Sequence, residues 1–138
     1  MAFLSTKGIY GLIAILEIAK GDKQNPVSLK DISDKINVSK NYLEQVLNGL
    51  RNAKIVGSIK GIKGGYFLLK TLDEITFYEV FRTMEIDFSL ANLTNVKSRE
   101  YSLFFKEYDD KIKDLFSRPL SSFGEYEKQA KKYLNYII

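Results

Sequence analysis

The chain of 138 residues contains no cysteine and no histidine, and only two prolines. The first two absences exclude the most chemistry. Disulfides, thiolate or imidazole zinc sites, cysteine-ligated iron–sulfur clusters and Cys–His or Ser–His–Asp machinery cannot be built from this polypeptide. A carboxylate-only magnesium or calcium site stays open, but no motif calls for one, so the expectation is no metal and no cofactor. Long apolar runs are missing too. The longest candidate, Ile9 to Ala19, is interrupted by Glu17 and falls short of the 18 or more residues of a span. The start, Met1-Ala2-Phe3-Leu4-Ser5, lacks the basic segment and cleavage site of a signal peptide. A cytoplasmic protein with no membrane partner is expected.

What is present is an ordinary globular balance, 45% apolar and 28% charged, enough for a modest single core. The net charge of +4 hides an asymmetry. Residues 1–70 carry 11 Lys/Arg against 5 Asp/Glu, whereas residues 71–138 carry 10 against 12. Between residues 39 and 70, six cations face Glu44 alone. A basic first half suggests polyanion binding, although such a segment is also what a solvated face looks like.

The pattern predicts a mainly α protein with a small β-hairpin. Ser5 or Thr6 caps a first helix to about Lys20, with Ile9, Leu12, Ile13, Leu16 and Ala19 forming its apolar stripe and Ile15 and Ile18 widening it, so that most of the helix is expected to be buried. Ser28 caps a short helix that turns Leu29, Ile32 and Ile36 inward, with Asp31 in its first turn. The chain turns at Asn37-Val38, and Ser39 caps a helix carrying Leu43, Val46, Leu47 and Leu50. Two short amphipathic helices around a tight turn make either a helix-turn-helix or an ordinary core hairpin.

The next stretch of chain favours the helix-turn-helix. Ile55–Ile59 and Tyr66–Leu69 read as strands, and Lys60-Gly61-Ile62-Lys63-Gly64-Gly65 as a basic, glycine-rich tip between them. Helix, helix-turn-helix and hairpin in that order make a winged helix-turn-helix domain over residues 1–85. A helix fits the major groove of DNA, where base edges are distinguishable. On the third helix Lys40, Asn41, Glu44, Gln45 and Asn48 lie opposite the apolar stripe; Asn and Gln can bond bidentately to adenine, and Glu can accept from cytosine. Ser5, Lys7, Tyr10, Ser28, Arg51 and Lys54 are candidate phosphate contacts, and Ser39 and Ser58 further candidate DNA contacts. In the wing, Lys60 and Lys63 supply charge, and Gly64 and Gly65 allow close backbone approach or serve only the turn. Tyr42 is read as a core or phosphate-facing residue.

The second half differs in character, and residues 86–138, a loop, a long dimerisation helix and a C-terminal helix, form its separate part. Thr76, with Glu79 three residues on, promises a capping box for a helix bearing Phe77, Val80, Phe81 and Met84. Glu85 to Val96 reads as a loop. A long helix then runs to Arg118, stopped by Pro119. Its residues Tyr101, Phe105, Tyr108, Ile112 and Leu115 are spaced 4, 3, 4 and 3, a heptad seam suited to a dimer contact or to packing within the chain. A last helix spans Ser122 to Tyr136, where Tyr126, Ala130, Tyr133 and Leu134 would pack on the first helix or on a partner.

These motifs resemble the Rrf-two family of winged helix-turn-helix transcriptional regulators over nearly the whole chain. Leu4-Ser5-Thr6-Lys7-Gly8-Ile9-Tyr10-Gly11 is similar to the family's opening. Ser39-Lys40-Asn41-Tyr42-Leu43-Glu44-Gln45, continued by Leu50-Arg51, is similar to its recognition helix, and Val56 to Tyr66 to its wing. The family often has Arg where this chain has Lys60, and glycine where it has Lys63. A lysine keeps the charge but loses the planar fork, which favours phosphate over base contacts. Cluster-binding members hold an iron–sulfur centre with three cysteines between the Thr76 helix and the long helix; Glu85–Val96 supplies none. The chain therefore resembles the cluster-free, CymR-like branch, as does its ending, Tyr133 and Tyr136-Ile137-Ile138.

The resemblance implies a non-enzymatic homodimer that binds double-stranded palindromic operator DNA as a repressor. It also implies a partner enzyme such as cysteine synthase as the source of the signal. The competing reading is a winged-helix module that docks a partner enzyme without reading DNA. A small enzyme is disfavoured, because only scattered carboxylates are available.

Overall fold

The computed structural model describes residues 2–137, with side-chain surroundings to residue 134; Ile138 and the side chains of Tyr136 and Ile137 lie outside. The elements run α1 (Thr6–Ile18), α2 (Leu29–Ile36), α3 (Lys40–Asn52), β1 (Val56–Ile59), β2 (Gly65–Leu68), α4 (Phe77–Met84), α5 (Arg99–Leu115) and α6 (Gly124–Ile137). A 3₁₀ turn, Leu120–Phe123, precedes α6. This is the expected mainly α fold with one antiparallel hairpin, in which Val56 pairs with Leu68 and Ile59 with Gly65.

The local signals work where cap and partner are close in sequence. Ser28 Oγ accepts the Asp31 N–H at 3.0 Å and Ser39 Oγ accepts the Tyr42 N–H at 3.2 Å. Between them Asn37 adopts the left-handed conformation (φ 56°), which asparagine tolerates. The buried Ser33 hydroxyl donates to the Val38 carbonyl at 2.6 Å and fastens that turn. Leu43, Val46, Leu47 and Leu50 of α3 all face the core, as their spacing predicts. Fully burying a side chain such as Leu47 contributes about 1.5–3 kcal/mol.

One layer of the core is α4 laid across α1 and α3. Val80, Phe81 and Met84 are buried. Gly11 makes the crossing possible, since a Cβ there would stand 2.7 Å from the Met84 Cγ. The core does not stop at residue 85: Leu120 is fully buried in it, and Phe88 and Phe116 pack against it.

Four expectations need correction. The buried face of α1 is Gly8, Gly11, Ala14, Ile15 and Ile18, because α4 crosses over the two glycines, whereas Ile9 is exposed and Leu12, Ile13, Leu16 and Ala19 are half-buried. The Thr76 cap forms, its Oγ accepting the Glu79 N–H at 3.1 Å, but the box does not close; Glu79 instead meets the Lys70 ammonium at 2.6 Å. The long helix ends at Leu115, before Arg118. The first N–H groups of α4 have no partner within their own helix. The Phe116 carbonyl accepts from the Tyr78 N–H at 2.8 Å and the Arg118 carbonyl from the Phe77 N–H at 3.2 Å, drawing residues 116–118 out of the helix. Finally, of the two placements expected for α6, packing on α1 is not found: Tyr126, Ala130, Tyr133 and Leu134 are exposed, and Tyr126 stands beside the neighbouring Phe123 ring, 5.8 Å between centroids.

Candidate nucleic-acid interface

The N-terminal turns of α2 and α3 and the inner side of the wing enclose an open groove of about 550 Å³. Lys30, Lys40, Arg51 and Lys60 line it, opposed by Glu44 alone. Four cations against one carboxylate on a concave surface form a receptor for a polyanion. Ser28, Ser58, Gly64 and Gly65 complete the wall with Ile59, Ile62 and Tyr66. The hydroxyls of Ser28 and Ser39 accept hydrogen bonds from their own helices, which leaves each O–H free to donate outward.

The wing is tied to this groove at two points. Val27 and Tyr66 exchange backbone hydrogen bonds at 2.9 and 2.8 Å, making the residue before Ser28 a one-residue third strand beside β2. Arg51 spans helix and wing, its Nη1 donating to Ser58 Oγ at 3.2 Å and its Nη2 to Asn48 Oδ1 at 2.9 Å. The Asn48 oxygen is thereby engaged. Its second lone pair and its amide NH₂ remain to meet a base edge, so Arg51 orients the amide while leaving a bidentate contact with adenine open. Burial pushes the Tyr66 phenol above its ordinary pKa, partly offset by the nearby Arg51 charge.

Not every sequence-derived candidate lines the groove. Asn41, Gln45 and Asn48 are exposed on α3, and Lys54 and Lys63 are exposed at the end of α3 and the wing tip. Tyr42 is half-buried, edge-on to Tyr10 at 5.7 Å between centroids, with its hydroxyl 3.4 Å from Thr6 Oγ1. Tyr10 itself packs against the core, and Lys7 beside it is half-buried. Ser5 precedes α1 but makes no capping bond; its N–H and hydroxyl both donate to Glu85 Oε1, so neither is available to a phosphate in this arrangement. Lys30 and Ile62 were missed. Lys30 had a signal, two residues beyond the Ser28 cap and therefore in a first turn that faces the wing.

In the second half, no residue of α5 is buried. Tyr101, Tyr108 and Leu115 of the heptad seam are exposed, while Phe105 and Ile112 are half-covered. Tyr108, Ile112, Leu115 and Leu90 border an open apolar hollow of about 390 Å³. The seam is thus only partly covered by its own chain.

Comparison with known proteins matches this arrangement. Residues 4–128 match the Rrf2 family, described as an iron-dependent transcriptional regulator. CymR of Bacillus subtilis is 35% identical over 97% of this chain and 99% of its own. Its solved structure, that of a global cysteine regulator, superposes with a TM-score of 0.74 over 91% of this chain and 98% of that one. The IscR structure from T. potens gives 0.70 at 29% identity, covering 92% of this chain and 89% of that one.

The residues present do not fit iron. The sequence supplies no thiolate or imidazole. Among the described residues no three carboxylates gather for a metal ion. In the stretch between α4 and α5, Glu85 is engaged by Ser5, and Asp109 of α5 accepts the Leu90 N–H at 2.9 Å. Without the iron ligands but with the helix-turn-helix, the wing and the groove between them, the chain belongs to the Rrf2 family of transcriptional regulators.

Proposed function

We propose that this chain is a sequence-specific repressor that binds a palindromic operator as a homodimer, without an iron–sulfur cluster. The observation that carries the reading is the basic groove between α3 and the wing. In it Lys30, Lys40, Arg51 and Lys60 would hold the phosphate backbone while α3 lies in the major groove. Glu44, Gln45, Asn41 and Asn48 would read base edges. The phosphate set also includes Lys54 and Lys63, whereas Ser5 joins it only if released from Glu85. The unburied seam of α5 supports the dimer, which would place two α3 helices on half-sites about one helical turn, or a multiple of it, apart. Residues 1–85 would read DNA, and residues 86–138 would join the subunits and receive the signal. Similarity to a global cysteine regulator favours a cysteine-linked signal passed by an enzyme such as cysteine synthase.

Gel-shift titrations on operator and scrambled duplexes test the roles. Lys60→Ala and Lys63→Ala should weaken binding to both, each reducing the slope of log affinity against log salt by about 0.9. Glu44→Ala and Gln45→Ala should change base preference instead. Equal loss on both duplexes for all four variants sinks the division between readers and holders.

A further inference from the structure

The wing ends in a residue that neither the core nor any phosphate contact uses. Ile62 has a relative exposure of 105%, the whole side chain standing in solvent. It occupies the second position of a tight turn, Gly61-Ile62-Lys63-Gly64, closed by the Gly64 N–H donating to the Gly61 carbonyl at 3.0 Å. Glycine sets the shape of that turn. Gly61 has φ +116°, and a Cβ at Gly64 would stand 2.0 Å from the Ile59 carbonyl oxygen. Isoleucine packs on nothing and adds nothing to turn formation, being a β-branched residue where polar residues are usual.

The mounting of the turn is firm. Behind it Ile59 pairs with Gly65 and Ser58 with Tyr66. Tyr66 is doubly bonded to Val27, and Ser58 is held by Arg51 of α3. An apolar tip at the end of a braced arm is flanked by Lys60 and Lys63, both exposed, and opens onto the basic groove. The flanking charge selects a polyanion as its partner over an apolar protein surface.

We propose that Ile62 is an apolar wedge that enters the minor groove beside the site of α3 and partly unstacks one base step, bending the operator. The proposal rests on the DNA-binding reading above. A narrow turn with glycine on both sides of the Ile-Lys pair suits the minor groove, about 6 Å wide, and isoleucine is among the side chains that act as wedges there. Flexible pyrimidine–purine steps unstack more easily than A-tracts. The wing would thus read deformability at positions where it makes no base-specific hydrogen bond.

The test uses the full chain and duplexes selected by the wild-type protein from a randomised pool, with 2-aminopurine placed under the wing and bending read by circular permutation. Wild type should bend the duplex and brighten the probe. Ile62→Ala should keep its salt slope, lose most of the bend and the brightening, and bind about tenfold more weakly. Ile62→Phe should restore the bend, and exchanging a TA step for an A-tract should penalise wild type but not Ile62→Ala. Selective binding with equal bending by wild type and Ile62→Ala overturns the wedge alone, as does a change confined to self-association. Failure to select any duplex overturns the DNA-binding reading and the wedge together.

Discussion

One oxygen of the Glu85 carboxylate accepts two hydrogen bonds from Ser5, from the backbone N–H at 2.7 Å and from the hydroxyl at 2.9 Å. Eighty residues apart in sequence, the two join the start of α1 to the end of α4. The contact replaces the local cap that Ser5 would otherwise provide. Gly8 leaves the space for it, since a Cβ there would stand 2.7 Å from the same oxygen.

Glu85→Ala should loosen the start of α1 and cost about 1.5–3 kcal/mol of stability, the net value of hydrogen bonding to a charged group. Glu85→Gln keeps an acceptor oxygen and should recover most of the loss. Urea unfolding gives the free energy, and hydrogen exchange at the Ser5 amide gives the location. Unchanged exchange in Glu85→Ala would show that the clasp holds nothing.

The link from Arg51 to Ser58 predicts coupling between helix and wing. Arg51→Lys loses the fork that reaches Asn48 and Ser58 together, and Ser58→Ala loses one acceptor. Each should weaken DNA binding, with the double variant better than additive by about 0.5–1.5 kcal/mol. Fluorescence anisotropy measures the cycle. Strict additivity would mean that the two residues act independently.

Charging the seam should dissolve the proposed dimer. Tyr108→Glu and Leu115→Glu place a carboxylate where apolar surfaces would meet, and neither side chain is buried in its own chain, so the fold should survive. Sedimentation should then show monomers, with affinity for a full palindrome falling to that for a half-site. An unaltered dimer mass would move the interface elsewhere.

Tyr66 gives a prediction about alkaline pH. Its folded pKa is raised above 10.0, chiefly by burial. The folded state therefore keeps its phenol proton at pH values where the unfolded chain has released it, so stability falls as pH rises from about 10 through the folded value. Tyr66→Phe should flatten that part of the fall. Parallel curves for wild type and Tyr66→Phe, measured by thermal unfolding above pH 9, would refute the assignment.

Much of the fold was legible because its signals are short-range. Ser28, Ser39 and Thr76 each find their acceptor role three residues ahead, and the α3 stripe needs only its own period. What failed depends on distant chain. Ser5 is claimed by a carboxylate in another element, and Pro119 marks a limit for the long helix but not its end, which the free amides of α4 determine. For the site, charge and spacing identified Lys40, Glu44, Arg51 and Lys60. They could not show that Val27 completes the wing or that Asn48 already accepts a hydrogen bond from Arg51.

A helix with no buried residue also makes the abundance of the protein a thermodynamic variable. On the proposed dimer, every folded chain is the other's ligand, so melting temperature should climb with concentration as mass action requires. Dilution would uncover Tyr101, Tyr108 and Leu115 and offer them to proteases or to aggregation. Any protein that covers the same face would then compete with self-assembly. How much chain a cell makes would itself decide how much regulator exists.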